Sequence, residues 1–290
     1  MKRTIAIYGK SRQDTHNDEL RRFCLLLPKF ADRIYMHPKI AASLEGIGID
    51  IAFAKVTEML PEDTDLVVSL GGDGTFLRAA AWTRNAGIPV MGINTGHLGY
   101  LAGYTFDDME EVERGLGGDC DISARMTLKI ISDRMPDWFF PYALNEVAVL
   151  KGDSTSMVSV RAYIDGMFLA DYLADGLVVA TPTGSTAYSL SAGGPILQPT
   201  LANMIISPVA PHSLTMRPLV ISSEADVRLE VSSRGAECHV ECDGRKFVVP
   251  SHGTVLEIRH GDAPLKVVQP RNVDFATLLR TKLLWGQGRD

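Results

Sequence analysis

The hydrophobic period changes once along this 290-residue chain, near Gly117-Gly118-Asp119, and that change limits it to a two-part fold. Before it, short apolar runs alternate with helical stripes. Residues 4–8, 49–53, 65–70 and 88–93 read as strands, and residues 18–28 place Leu20, Phe23, Cys24 and Leu27 on one helical stripe. A helix is expected from about residue 76 to 85, ending near Gly87. Another follows Asp107, whose spacing to Glu110 resembles a capping box ahead of Met109, Val112 and Leu116. This rhythm favours a parallel sheet covered by helices. From Arg125 onward the period is two: Val158, Val160, Ala162 and Ile164 alternate, as do Val227, Leu229 and Val231. Asp165-Gly166 and Asp243-Gly244 sit between such runs as hairpin turns. The tail returns to helical spacing over residues 274–285, at Phe275, Leu278, Leu279 and Leu283. The expected architecture is an α/β, Rossmann-like parallel-sheet domain over residues 1–123 and an all-β, sandwich-like domain over 124–269. A C-terminal helix within 270–290 is expected to pack back on the first domain. The cleft between domains is the natural ligand site.

The strongest local signal in the first domain is Gly71-Gly72-Asp73-Gly74-Thr75, between the apolar run Leu66-Val67-Val68-Ser69-Leu70 and the helix expected near Phe76. Glycine carries no Cβ, so a phosphate can approach the main chain closely. Successive N–H groups in such a turn, with the helix N-terminus behind them, form an anion cradle. Asp73 is anomalous there, because a carboxylate repels phosphate. Two tasks explain it: holding Mg²⁺, or accepting a proton from a hydroxyl that attacks phosphorus. Asp is also common in tight turns, but the flanking glycines and the strand–helix context favour a functional reading.

The net charge of −6 argues against a nucleic-acid partner and leaves any anionic substrate to local donors and metal. The apolar stretch after Lys2 and Arg3 is too short for a signal peptide, and no run approaches the roughly 18 apolar residues of a membrane span. A cytoplasmic location with no membrane partner is expected. Cys238 and Cys242 flank His239 and Glu241, but on a strand they stand about 13 Å apart, too far for one metal or one disulfide. They read as core thiols.

Three further stretches carry chemistry. Asn94-Thr95-Gly96-His97-Leu98-Gly99-Tyr100-Leu101 follows a strand, which places it at the carboxyl edge of the sheet beside the glycine turn. Asn145-Glu146 interrupts the apolar run 142–150. The run from Asp175 to Ile196 reads as a strand, a hydroxyl-rich turn and a helix from about Ser185, a second anion or sugar site. Common alternatives fail. Gly9-Lys10-Ser11 lacks the leading glycine of a Walker loop, Leu77 stands where a dinucleotide fingerprint needs its third glycine, and no G-x-S-x-G elbow occurs.

Together with Ser207-Pro208-Val209-Ala210-Pro211-His212-Ser213-Leu214, these stretches resemble the NAD kinase family over most of the chain. The Gly-Gly-Asp-Gly turn alone is shared with diacylglycerol-type lipid kinases and phosphofructokinases; the 175–196 run is far more specific. The resemblance implies phosphorylation of the adenosine-ribose 2′-hydroxyl of NAD to NADP, with ATP as donor and Mg²⁺ held mainly by the donor's phosphates. It implies Asp73 as the proton acceptor, and Gly71, Gly72, Gly74 and Thr75 as the phosphate loop. Arg78 falls near phosphate. Asn145 and Glu146 bind the nucleotide's sugar and base, and Asp175 another part of the dinucleotide. Thr186, Ala187, Tyr188, Ser189, Leu190 and Ser191 line the adenine and ribose region, and Ala210 is a contact position. It also implies a homodimer or homotetramer. His97 and His212 receive no role. The family usually reads Ser-Asp-Gly-Gln where this chain has Cys242-Asp243-Gly244-Arg245, so Arg245 lacks the amide acceptor, and the expectation for it is a contact with phosphate instead. Two other functions are open: a lipid or small-alcohol kinase, which needs an apolar entrance, and a non-catalytic NAD(P) sensor, which has no need of Asp73.

Overall fold

The computed structural model describes residues 3–9, 16–96, 99–152, 156–234, 237–271 and 273–286. Lys10, Ser11, His97 and Leu98 of the motifs above lie outside the described residues. The chain divides into two units, Met1–Ala124 with Leu265–Asp290, and Arg125–Pro264.

The first unit is α/β. Its sheet runs in the order Lys55–Val56, Arg33–Met36, Thr4–Gly9, Leu66–Leu70, Val90–Asn94, Leu265–Gln269, Asp121–Arg125, with Tyr104–Thr105 also paired to Val90–Asn94. The strands Thr4–Gly9, Leu66–Leu70 and Val90–Asn94 pair in parallel and are buried at every position, so their apolar runs need no alternation. Helices Asn17–Phe30, Pro38–Gly46 and Met109–Gly117 bury Leu20, Phe23, Leu27, Ile40, Leu44, Val112 and Leu116 in one core with Ile5, Ile7, Val68 and Met91. Each such side chain contributes about 1.5–3 kcal/mol by leaving water.

Several elements depart from the sequence expectations. Residues 49–53 are not a strand: the Asp50 carboxylate accepts from the Ala52 N–H at 2.9 Å, and the resulting turn lets Ile49 and Ile51 enter the core from a loop. The helix expected from about residue 76 begins at Asp73, capped by Gly72, and ends at Trp82. The cap of Met109–Gly117 is Asp108 rather than Asp107, accepting from the Glu111 N–H at 3.0 Å. The second unit stops at Pro264, not 269, because Leu265–Gln269 pairs in parallel with Val90–Asn94 through Val267 and Val268. Five residues with a partial period of two do not reveal which sheet they join. The C-terminal helix, Phe275–Lys282, belongs to the first unit.

The second unit is a sandwich of two six-stranded antiparallel sheets. One runs Leu219–Ser222, Asn203–Val209, Gly176–Ala180, Glu146–Lys151, Cys238–Cys242, Arg245–Val249. The other runs Met167–Ala174, Val158–Ile164, Val227–Ser233, Thr254–His260, Leu128–Ile131, Tyr142–Ala143. The alternating residues meet between them: Val158, Val160, Ala162, Leu229 and Val231 from one sheet pack with Val147, Val149, Leu177, Val179 and Val240 from the other. Cys238 and Cys242 are unpaired thiols in this core. Both Asp-Gly hairpins form, with φ of 51° and 77° at Asp165 and Gly166 and of 49° and 74° at Asp243 and Gly244. On the far face of the first sheet, Ala148, Val178, Ala180 and Ile205 are covered by Tyr188 and Leu197. The hydroxyl-rich run is thus a third layer. Among the described residues, no helix is long and apolar enough to cross a membrane.

Candidate active site

Two groups of residues form, one in each unit. In the first, the strand Leu66–Leu70 delivers the chain to Gly71, whose φ of 146° and whose contact with Thr75 exclude a side chain: a Cβ there would stand 2.6 Å from Thr75 Oγ1. The Gly72 carbonyl accepts from Thr75 and Phe76 N–H at 2.8 and 3.1 Å, closing the first helical turn. Asp73 is therefore the first residue of the helix. Gly72 and Gly74 differ from Gly71. Neither has positive φ, and a Cβ at either would meet open space. The protein's own packing does not demand glycine at these positions, and their bare backbone leaves the turn open to a ligand.

The Asp73 carboxylate is fixed by the segment after Val90–Asn94. Oδ2 accepts from the Tyr100 N–H at 2.7 Å; Oδ1 accepts from Leu101 at 2.9 Å and Ala102 at 3.4 Å. A Cβ on Gly99 would stand 2.2 Å from Oδ1, so that glycine is required for the contact. Asn94 starts the segment with an Asx turn, accepting from Gly96 N–H at 3.0 Å. The predicted juxtaposition of the Asn94 stretch and the glycine turn is therefore present, with Asp73 as the link. A carboxylate offers about four acceptor positions; three amides leave capacity on Oδ2. Arg78 reaches the Tyr8 hydroxyl, whose pKa burial raises in spite of that cation. Lys282, on the C-terminal helix, is a neighbour that sequence reasoning missed: burial lowers its ammonium pKa and the Asp73 carboxylate opposes that shift.

In the second unit, Asp243 organises Asn145 and Glu146. Its Oδ2 accepts from the Leu144 N–H at 2.7 Å, and its Oδ1 from Asn145 at 2.8 Å and Glu146 at 3.2 Å. Burial raises the Asp243 pKa against these three amides. Thr181 adds a second tie, donating to the Leu144 carbonyl at 2.6 Å and accepting from Gly184 N–H at 3.0 Å. Gly184 packs on the Asn145 backbone, where a Cβ would lie 2.1 Å from the carbonyl oxygen. The strands thus hold Asn145 and Glu146 rigidly, yet Asn145 Oδ1 and Glu146 Oε2 are buried without a hydrogen-bond partner. Glu146 keeps some exposure as a residue, but burial of its carboxyl, reinforced by Asp243, pushes its pKa up to about 8; the Tyr188 backbone N–H opposes the rise. The Tyr188 phenol is raised in turn by burial and by Glu241, Asp175 and Glu146, so these four side chains share one region. Asp175 also pairs with Lys151 at 2.7 Å. Ala210, exposed and held at φ 45°, follows Val209, whose carbonyl accepts from the Asp175 N–H at 2.9 Å.

Other expectations fail. The helix after the hydroxyl-rich turn spans only Tyr188–Ser191, preceded by the 3₁₀ turn Thr183–Thr186, so no extended helix supplies a second anion site. The hydroxyls mainly serve the fold: Ser185 bonds to Pro182 and Leu197, and Thr186 to the Thr183 carbonyl. Ser189 is fully buried, 3.0 Å from Ser207 Oγ, so its side chain faces the interior. Thr186, Ala187, Tyr188 and Leu190 are half-buried and Ser191 exposed. Arg245 does not wait for a phosphate. Its guanidinium donates to the Phe140 and Tyr142 carbonyls and lies over the Phe139 and Phe140 rings.

Comparison with known proteins agrees with both halves. The ATP-NAD kinase N-terminal domain family matches residues 30–116, and the ATP-NAD kinase C-terminal domain family matches residues 144–270. An NAD kinase from Bacteroides fragilis is 48% identical over 97% of this chain and 98% of its own length; one from Porphyromonas gingivalis is 40% identical over the same shares. The fold is shared with yeast NADH kinase complexed with NADH (TM-score 0.85, 24% identity, 100% of this chain and 89% of that one). An Archaeoglobus fulgidus NAD kinase in complex with ATP also aligns (TM-score 0.73, 25% identity, 98% and 97%). By sequence over nearly its whole length, the chain belongs to the NAD kinase family.

Proposed function

We propose that this protein transfers the γ-phosphoryl group of ATP to the 2′-hydroxyl of the adenosine ribose of NAD, making NADP and ADP. The observation that carries the reading is Asp73: a carboxylate pinned by three amides at the head of a helix, between two glycines whose missing side chains leave access. As the 2′-oxygen bonds to the γ-phosphorus, the bond to the leaving ADP oxygen breaks and the hydroxyl proton passes to Asp73. Such transfers depend on positioning and charge neutralisation. Gly72, Gly74 and Thr75 offer their backbone to phosphate. Asn145 and Glu146, with their unpartnered oxygens, accept hydrogen bonds from the amine and hydroxyl donors of the nucleotide. Buried polar acceptors of this kind suit a nucleotide better than an acyl chain.

Among the described residues, no group of three or more His, Cys, Asp and Glu side chains converges on a metal-sized point. In this reading Mg²⁺ enters with the donor's phosphates, where it neutralises charge. A reducing, cytoplasmic setting suits the four free cysteines. Assembly into a homodimer or homotetramer is part of the proposal; the edge strand Met167–Ala174 leaves Met167, Phe168 and Leu173 exposed, and sedimentation tests it. The activity is tested by incubating purified protein with NAD, ATP and Mg²⁺ and reading the product with a dehydrogenase that accepts only NADP. NADP is the expected result. Its absence while NAD still binds would overturn the reading in favour of a sensor.

A further inference from the structure

In the second unit, the sheet that carries Glu146 holds another carboxyl group, Glu241, outside the residues assigned above. Side chains alternate along Glu146–Lys151. Val147 and Val149 enter the sandwich core, and Ala148 faces the other way with Val178, Ala180 and Ile205. Glu146, two residues before Ala148, shares that outer face. The antiparallel register puts Glu241 directly opposite Ala148, so it stands on the same face, one row along the strands from Glu146. Asp175 lies at the far end of the face, where its carbonyl accepts from the Lys151 N–H at 2.9 Å. Tyr188 packs across the middle, on the cluster that contains Ala148. Its phenol pKa is raised mainly by burial; among the carboxyl groups Glu241 raises it most, ahead of Asp175 and Glu146. Glu146 Oε2 is buried on this face without a hydrogen-bond partner, which marks the face as one that receives a ligand.

Three carboxyl groups thus border one aromatic ring, and they do not carry equal charge. Asp175 is matched by Lys151 Nζ at 2.7 Å. Glu146, with its pKa pushed up to about 8, is mostly protonated near pH 7. Glu241 is half-buried and, among the described residues, has no ion-pair partner; the exposed Lys246 stands opposite it in the hairpin register without pairing to it. An unmatched carboxylate beside an aromatic face repels the diphosphate of a dinucleotide and attracts a flat cation. NAD offers one such group, its oxidised nicotinamide ring, a pyridinium; in NADH that ring is neutral. We propose that Glu241 sets the enzyme's choice between the two oxidation states of its coenzyme, its carboxylate favouring the cationic ring of NAD over the neutral ring of NADH. The inference rests on the reading of NAD as the substrate and adds Glu241 to it as a specificity residue.

The test uses the full chain with Glu241→Gln and Glu241→Asp, and calorimetry with NAD and with NADH. Glutamine keeps the size of the side chain and removes its charge, so the fold is retained, which the melting temperature checks. Wild-type protein binds NAD more tightly than NADH. In Glu241→Gln the affinity for NAD falls roughly five- to thirtyfold, the loss of one partly screened charge pair, and the affinity for NADH changes much less, so the preference shrinks by that factor. Glu241→Asp keeps the carboxylate and most of the preference. The ratio of kcat/KM for the two coenzymes follows the ratio of affinities. An equal loss for both coenzymes would make Glu241 a structural residue and overturn the inference. A ratio unchanged in Glu241→Gln, or a wild-type protein that binds both coenzymes equally, overturns it as well. Failure of the wild-type protein to bind either coenzyme would instead sink the reading of NAD as substrate, and this inference with it.

Discussion

In the first unit, the Asp73 carboxylate accepts N–H groups from Tyr100, Leu101 and Ala102; in the second, the Asp243 carboxylate accepts them from Leu144, Asn145 and Glu146. Each aspartate gathers three consecutive amides of a distant segment. Their surroundings differ. Asp73 heads a helix between glycines that open outward, whereas Asp243 sits in a hairpin with its carboxylate enclosed and its pKa raised by burial. Backbone hydrogen bonds alone do not separate a reactive carboxylate from a structural one. The separation lies in what else can approach: the glycines flanking Asp73 leave open space, as the proposed reaction requires, and the enclosed Asp243 holds the backbone of Asn145 and Glu146.

The comparison predicts opposite phenotypes. Asp243→Ala strands three amides in the interior at a cost of about 3 kcal/mol or more, a large share of a domain's stability. Thermal unfolding should show the second unit collapsing well below the wild-type temperature; an unchanged melting temperature would break the distinction. Gly99→Ala acts on the other aspartate. Its methyl would occupy the space of Asp73 Oδ1, so turnover should fall roughly tenfold or more by displacement of a positioned group, with a smaller loss of stability. Turnover equal to wild type would mean that the Asp73 clamp does not matter for the reaction.

Glu146 gives a pH test. Its folded pKa of about 8 lies above the value near 4.5 of the unfolded chain, so the stability it contributes is complete below pH 4.5 and is lost as pH rises through 8. The slope for one proton is at most about 1.4 kcal/mol per pH unit. Glu146→Gln should flatten the stability curve in that window, and a curve that keeps its slope would contradict the assignment. NAD donors that hydrogen-bond to this carboxyl favour its ionised form, so binding near pH 7 should release protons, read by calorimetry in buffers of different ionisation enthalpy. The smallest effect is expected from Arg245→Gln. It loses two hydrogen bonds to carbonyls, about 1–2 kcal/mol of stability, with no change in the KM for NAD or ATP. A shifted KM would return Arg245 to the site.

The sequence made the two architectures legible because each has its own period, and the glycine turn legible because strand, glycines and helix are contiguous. What stayed hidden depends on long-range pairing. The Asp243 amides lie nearly a hundred residues away in sequence, and nothing around Asp243-Gly244 distinguishes a clamp from an ordinary hairpin turn. Lys282 is an unremarkable helix residue until the fold brings it to Asp73. Ser189 was indistinguishable from Tyr188 and Ser191, because four residues of helix do not fix which side faces the core. Residues 49–53 misled for a similar reason: a buried loop supplies the same apolar pattern as a short strand.

The central claim is that Asp73 takes the proton of the acceptor hydroxyl. Asp73→Asn preserves the size of the side chain and most of its amide contacts while removing the basic oxygen. With NAD affinity measured by calorimetry and turnover by NADP formation, affinity should be retained. Turnover should fall by roughly 10²–10⁴-fold, about 3–5 kcal/mol of barrier. Wild-type turnover in that variant would contradict the claim.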